Sequence, residues 1–176
     1  MFKTSIARRG FTLIELVITI TIAAILVALA LPSYRTMILN NRQNSVVDAS
    51  MMAMNYARNA ALTGNQSITL CANGGGGVCG AGWNSGWIVT TAPAVPIVVL
   101  TTTTLKPSGP TVKTNGGSLT MLFDARGLVT GGDIFVVCDS RGSKFGRAVS
   151  VNTIGYVQAS AAQGFLPDGI TATVCP

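Results

Sequence analysis

The sequence predicts an α+β protein in which one long N-terminal helix precedes an antiparallel β-rich globular head. Three observations carry this expectation. Phe11 to Leu31 is a nearly continuous apolar run. Apolar residues then recur at helical spacing from Ser33 to Thr63, and from Gln66 onward short β-branched runs are separated by Gly, Pro, Asn and Asp.

The apolar run comes first. Apart from Glu15, its only polar side chains are Thr12, Thr19 and Thr21, whose hydroxyls can bond back to helix carbonyls. At about 1.5 Å per residue the run reaches roughly 31 Å, enough to cross a hydrocarbon core of about 30 Å. Lys3, Arg8 and Arg9 precede it without an acidic residue, which leaves the N-terminus in the cytoplasm and exports the remainder. A cleaved secretory signal would have a shorter apolar region. Glu15 breaks the pattern. A charge within the membrane costs on the order of 2.5–3.5 kcal/mol, less near the interface, and so it seeks a cationic partner or the headgroup layer.

Gly10, Phe11, Thr12, Leu13, Ile14 and Glu15 together resemble the class III signal of type IV prepilins and type II secretion pseudopilins. The resemblance implies a pilin-like fold, cleavage between Gly10 and Phe11 by a prepilin peptidase, and N-methylation of Phe11. It also implies that Glu15 meets the N-terminal amine of a neighbouring subunit during assembly, and that Pro32 interrupts the helix. Expected partners are the peptidase, other pilin or pseudopilin subunits and the inner-membrane assembly platform.

Four segments follow: a leader over 1–10, a transmembrane and assembly half of the helix over 11–31, an amphipathic half over 32–64 and a β-rich head over 65–176. Pro32 lacks a backbone donor, so the helix is expected to kink or loosen around Ala28 to Pro32. Val47, Met51, Met54, Ala57 and Ala61 form the stripe expected to pack on the head, and Gly64 is the expected stop. This methionine-bearing stripe reads as core rather than as a ligand box.

Candidate strands are Ser67–Cys71, Trp87–Thr91, Ile97–Thr103, Leu119–Phe123, Ile134–Cys138, Ala148–Val151 and Gly155–Ala159. Arg147 to Gln158 reads as a hairpin turning near Asn152-Thr153. Gly74 to Gly82 and Thr101 to Asn115 are low in complexity and expected as surface loops; no internal repeat is evident.

About 145 residues remain after the leader and membrane helix, the size of one ordinary domain. The net charge of +6 falls to +3 without Lys3, Arg8 and Arg9, far from a polybasic nucleic-acid protein. Cys71, Cys79, Cys138 and Cys175 all lie in the exported part, and an even count there favours two disulfides. Three pairings are open; Cys71–Cys79 and Cys138–Cys175 are preferred. Spacing without a CxxC pair and a chain without histidine argue against zinc, and no acidic cluster suggests calcium, so neither metal nor cofactor is expected. Without histidine or a carboxylate pair, no enzymatic activity is expected either. Asp124, Asp133, Asp139 and Asp168 read as turn residues.

Within the head, Phe123-Asp124-Ala125-Arg126-Gly127, Cys138-Asp139-Ser140-Arg141-Gly142, and Gly146-Arg147-Ala148-Val149 leading into Ile154-Gly155-Tyr156-Val157 resemble the GspH/FimT group of minor pilins and minor pseudopilins. The group implies a structural subunit that joins or primes a pilus fibre. Its alternatives are a pseudopilin of a type II secretion system and a DNA-binding pilin for natural transformation. The Gly-Arg-x-Arg motif of DNA-binding members corresponds here to Gly155-Tyr156-Val157-Gln158, which lacks both arginines. Arg141, Lys144 and Arg147 next to Phe145 form the remaining candidate for weak, sequence-independent DNA contact.

Overall fold

A computed structural model of the chain describes residues 10–80, 82–91 and 99–175. Lys3, Arg8 and Arg9 of the leader lie outside these residues, as do Ile97 and Val98 of the third candidate strand. The chain divides into two compact units, Met1–Leu39 and Asn40–Pro176.

In the first unit, α1 (Leu13–Gly64) begins after Thr12, whose hydroxyl accepts the Glu15 N–H at 3.2 Å. Thr12 is thus the N-cap, and Glu15 occupies the third helical position, where a carboxylate favours the positive end of the helix dipole. Every residue from Phe11 to Leu31 is exposed, and the helix is long and apolar enough to cross a membrane. Thr19 and Thr21 donate to the carbonyls of Leu16 and Ile18, so the run carries no unsatisfied hydroxyl. α1 runs on through Pro32 without the interruption that the resemblance implies. The missing N–H of Pro32 leaves only the Ala28 carbonyl without its helical partner, which a long helix tolerates.

In the second unit, α1 buries Gln43, Val46, Val47, Ser50, Ala53, Met54, Ala57 and Ala61. α1 ends at Gly64, as expected, and the left-handed residue that closes it is the next one. Asn65 takes the left-handed conformation, with φ 47°, and the Gln66 N–H bonds the Ala61 carbonyl, a Schellman closure.

Among the described residues nine strands form two antiparallel sheets. One has the order β3-β2-β1-β5-β6, built from β1 (Ile68–Ala72), β2 (Gly86–Thr91), β3 (Val99–Thr104), β5 (Thr120–Phe123) and β6 (Val129–Thr130). The other has the order β4-β7-β8-β9, from β4 (Thr111–Thr114), β7 (Ile134–Cys138), β8 (Arg147–Val151) and β9 (Val157–Ala159). Seven strands correspond to candidates read from sequence. β4 is a correction: the supposed loop Thr101 to Asn115 contains the end of β3 and all of β4, which buries Val112 and Thr114. The outward-facing Val112 N–H on this edge strand bonds the Asn84 carboxamide oxygen at 2.8 Å, which removes the exposed donor that makes edges hazardous. The two-residue β6 is too short to be read from composition.

Helix and sheets share one core in which Met54, Ala57 and Ala61 join Leu70, Trp87, Met121, Phe123, Phe135, Val137 and Val149. The Trp83 ring lies 4.4 Å from that of Phe135. On the opposite face of the second sheet, Val136, Cys138 and Ala148 pack against Leu166 from the C-terminal segment. β7 is therefore covered on both faces, which accounts for its unbroken apolar sequence.

Candidate functional site

Two loci carry the residues singled out from sequence. The first is the start of α1, where Gly10 and Phe11 are exposed and precede the Thr12 cap. Glu15 sits one turn into the helix among exposed Phe11, Leu13, Ile14 and Ile18. A bare apolar helix with one carboxylate suits a segment that lies in lipid or in a helical bundle.

The second locus is built from a repeated turn that the sequence reading missed. Asp124-Ala125-Arg126-Gly127 and Asp139-Ser140-Arg141-Gly142 adopt the same conformation. In each, the aspartate Oδ1 accepts the arginine backbone N–H, at 2.9 Å in both, and the glycine N–H bonds the aspartate carbonyl, at 2.8 and 3.1 Å. The glycines take φ of 75° and 80°, a region strained for any residue with a Cβ. Each arginine folds back on its own aspartate, Arg126 at 3.0 Å and Arg141 at 2.6 Å.

The two turns differ in surroundings. The Arg126 side chain is 79% exposed, whereas Arg141 is 14% and Asp139 5% exposed. Arg141 Nη1 donates to Asn40 Oδ1 at 2.9 Å and Nη2 to Gln43 Oε1 at 3.3 Å, both on α1. Gln43 is fully buried and donates through Nε2 to the Val137 carbonyl at 3.3 Å. Gln163 Nε2 completes the group by donating to Asn40 Oδ1 at 3.0 Å, and the Phe145 ring lies 4.6 Å beneath the Arg141 guanidinium. This fork of charge-assisted bonds latches α1 to the second sheet.

The proposed basic patch of Arg141, Lys144 and Arg147 is therefore corrected. Arg141 has its donors committed inside the protein, and Arg147 is half-buried with an enclosed Nε that has no hydrogen-bond partner among the described residues. Only Lys144, in the 3-10 turn Ser143–Phe145, is exposed.

The remaining aspartates serve turns, as expected. Asp133 accepts the N–H groups of Gly116, Ser118 and Ile134. Asp124 is held below the usual carboxylate range, chiefly by the Leu128 N–H with Arg126 contributing. Asp168 is lowered mainly by the Thr171 hydroxyl and then by the N–H groups of Ile170 and Thr171. Cys71 is bonded to Cys79 and Cys138 to Cys175, the pairing preferred from sequence. Among the described residues no group of three or more metal-ligating side chains converges.

A family model described as Type II transport protein GspH matches residues 47–155, and one described as a prokaryotic N-terminal methylation motif matches residues 6–31. Among solved structures, the chain is similar to the type IV minor pilin FimU of Pseudomonas aeruginosa strain PAO1 in two crystal forms. One matches at 21% identity over 67% of this chain and 87% of that chain, with a TM-score of 0.56. The other matches at 19% identity over 66% and 90%, with a TM-score of 0.54. At these identities the likeness establishes the α+β pilin fold. No curated protein matches the chain. The GspH match spans more than half of the sequence, and the methylation motif accounts for the apolar helix that precedes it. The chain therefore belongs to the GspH family, within the type IV pilin superfamily.

Proposed function

We propose that this chain is a minor type IV pilin, a structural subunit that joins or primes a pilus fibre. In this reading the prepilin peptidase removes residues 1–10 and methylates Phe11. Residues 11–31 hold the subunit in the inner membrane with the head in the periplasm, then enter the fibre beside other pilins through the assembly platform. Residues 32–64 support the β-rich head, 65–176, which offers its surface to neighbouring subunits. The observation that carries the reading is Glu15: a lone carboxylate on the exposed apolar run Phe11 to Leu31 gains a role where a cation waits in a water-poor setting.

The test separates processing from assembly. The mature protein should begin at Phe11 and carry one methyl group by intact mass. Glu15→Ala should still insert and be cut, because removing a charge favours the membrane, yet should be depleted from sheared fibres. Wild-type incorporation of that variant would remove the charge-pairing argument.

A second reading, a minor pseudopilin of a type II secretion system, is supported by the description of the matching family. Loss of secreted enzymes with pili intact, on deletion of this chain, would select it. DNA capture is not favoured: the patch invoked for it has its central arginine, Arg141, bonded internally.

A further inference from the structure

A cleft of about 710 Å3 opens in the head among the disulfide loop Cys71–Cys79, the 3-10 turn Trp83–Ser85 and the Leu105–Pro110 connection between β3 and β4. The disulfide closes one wall, and a turn that contains Pro107 and precedes Pro110, in which the Gly109 N–H bonds the Lys106 carbonyl at 2.9 Å, forms the other.

Asn73 and Asn84 line this cleft, and each has its carboxamide oxygen occupied by a backbone N–H, from Gly75 and Val112 respectively, both at 2.8 Å. Only the oxygen can accept those bonds, so the amide orientations are determined and the amino groups are the free ends. Asn73 is 9% exposed, and neither Nδ2 has a partner among the described residues. Thr104 and Lys106 on the rim are exposed, and Lys106 forms no ion pair among the described residues. No aspartate or glutamate lines the cleft.

Two free amide amino groups and one cation, with no acid beside them, suit a ligand rich in acceptors and negatively charged. A peptide backbone brings as many N–H donors as carbonyl acceptors and would set donor against donor. A sugar hydroxyl presents two lone pairs for each hydrogen, and its hydrogen can turn away. A single lysine is too little for a polyphosphate strand. Leu105, Pro107 and Pro110 add apolar surface for the C–H face of a ring, and the volume lies within the range of sites that hold a small molecule. We propose that this cleft binds a carboxylated sugar unit of an acidic polysaccharide, with Lys106 on the carboxylate and the Asn73 and Asn84 amino groups on hydroxyl or ring oxygens.

The test titrates the mature full chain in detergent micelles with trigalacturonate, a neutral trisaccharide and hexaglutamate. Saturable binding of trigalacturonate is expected, with the neutral sugar and the peptide each weaker by about tenfold or more. Asn73→Asp keeps the acceptor for the Gly75 N–H but replaces the free amino group with a carboxylate oxygen, and should weaken trigalacturonate by at least about tenfold. Lys106→Gln, at an exposed position, should do so with an unchanged melting temperature and keeps the test valid should Asn73→Asp fail to fold. Absence of saturable binding, equal affinity for hexaglutamate, or full affinity in the Lys106→Gln chain would overturn the proposal.

Discussion

Replacing Arg141 by alanine should cost far more stability than replacing Arg126, although both occupy the same turn and face the same kind of partner. Arg141→Ala strands Asp139, 5% exposed, without its cation and removes the bonds to Asn40 and Gln43. Breaking a buried pair from one side costs about 3–5 kcal/mol, and the slight solvent access of Arg141 favours the lower end, about 3 kcal/mol. For a domain of this size that corresponds to a fall of roughly 6–12 °C in melting temperature. Arg126→Ala breaks a pair that water already screens and should move the transition by no more than about 2 °C. Arg141→Lys keeps the charge but cannot span Asp139, Asn40 and Gln43 together, so it should fall between the two. Thermal unfolding of the mature chain in detergent, followed by near-ultraviolet circular dichroism, reads all three. If Arg141→Ala melts within about 2 °C of Arg126→Ala, the latch is not a stabilising element and the reasoning from burial fails.

Other outcomes can be measured on the same preparation. Removing both Cys138 and Cys175 opens a loop with a sequence separation of 37 and should cost about 4 kcal/mol in the chain-entropy picture, against about 2.5 kcal/mol for Cys71 and Cys79, separated by 8. Denaturant unfolding of the two double-cysteine variants beside the parent, all without reductant, compares them, and equal losses would contradict the ordering. Asp124 and Asp168 both titrate below their ordinary value, so their stabilising contribution is complete above about pH 4 and is lost as pH falls through the lowered range. Asp168→Asn should flatten that acid limb, and an unchanged acid transition would exclude the aspartate as its source. With Arg141 committed, at most two phosphate contacts remain to Lys144 and Arg147. Any DNA binding should therefore show a log–log salt slope near −2 and lose about one decade between 50 and 200 mM salt. Anisotropy titration with a slope of −4 or steeper would point to a basic surface elsewhere.

The parts of this structure that were legible in sequence are those set by local periodicity. The apolar run and the Val47-Met54-Ala57-Ala61 stripe follow from helical spacing, and β7 follows from an unbroken apolar segment. β4 was hidden because Thr111-Val112-Lys113-Thr114 is short, half polar and next to Pro-Ser-Gly-Pro; its alternation of exposed and buried residues was the available signal. Gln43 was missed for a related reason. It precedes Val47 by four positions on the same face, yet its burial depends on Arg141 and Val137, 98 and 94 positions away. Arg141 shows the limit most plainly. Read locally with Lys144 and Arg147 it is one cation of a basic patch, and only the approach of Asn40, 101 positions earlier, turns it inward. The repeated Asp-x-Arg-Gly turn could have been found by comparing residues 124–127 with 139–142, and that comparison would have assigned each arginine to its own aspartate.

The covering of β7 from both sides bears on how this head breathes. Leu166 lies over Val136 and Ala148, and its segment is tied down by the Thr173 hydroxyl on the Ser143 carbonyl and by the Cys138–Cys175 bond. Local fraying can bare an edge such as β3 without disturbing the interior, but β7 has no side from which water can enter while this segment stays in place. Amide hydrogens of Phe135 to Val137 should thus exchange only when the whole head opens, and cutting the disulfide should give them a faster route through partial opening while leaving β1 and β2 as slow as before. The C-terminal segment then acts as the slowest gate of the fold, and the covalent bond determines whether that gate can swing independently of everything beneath it.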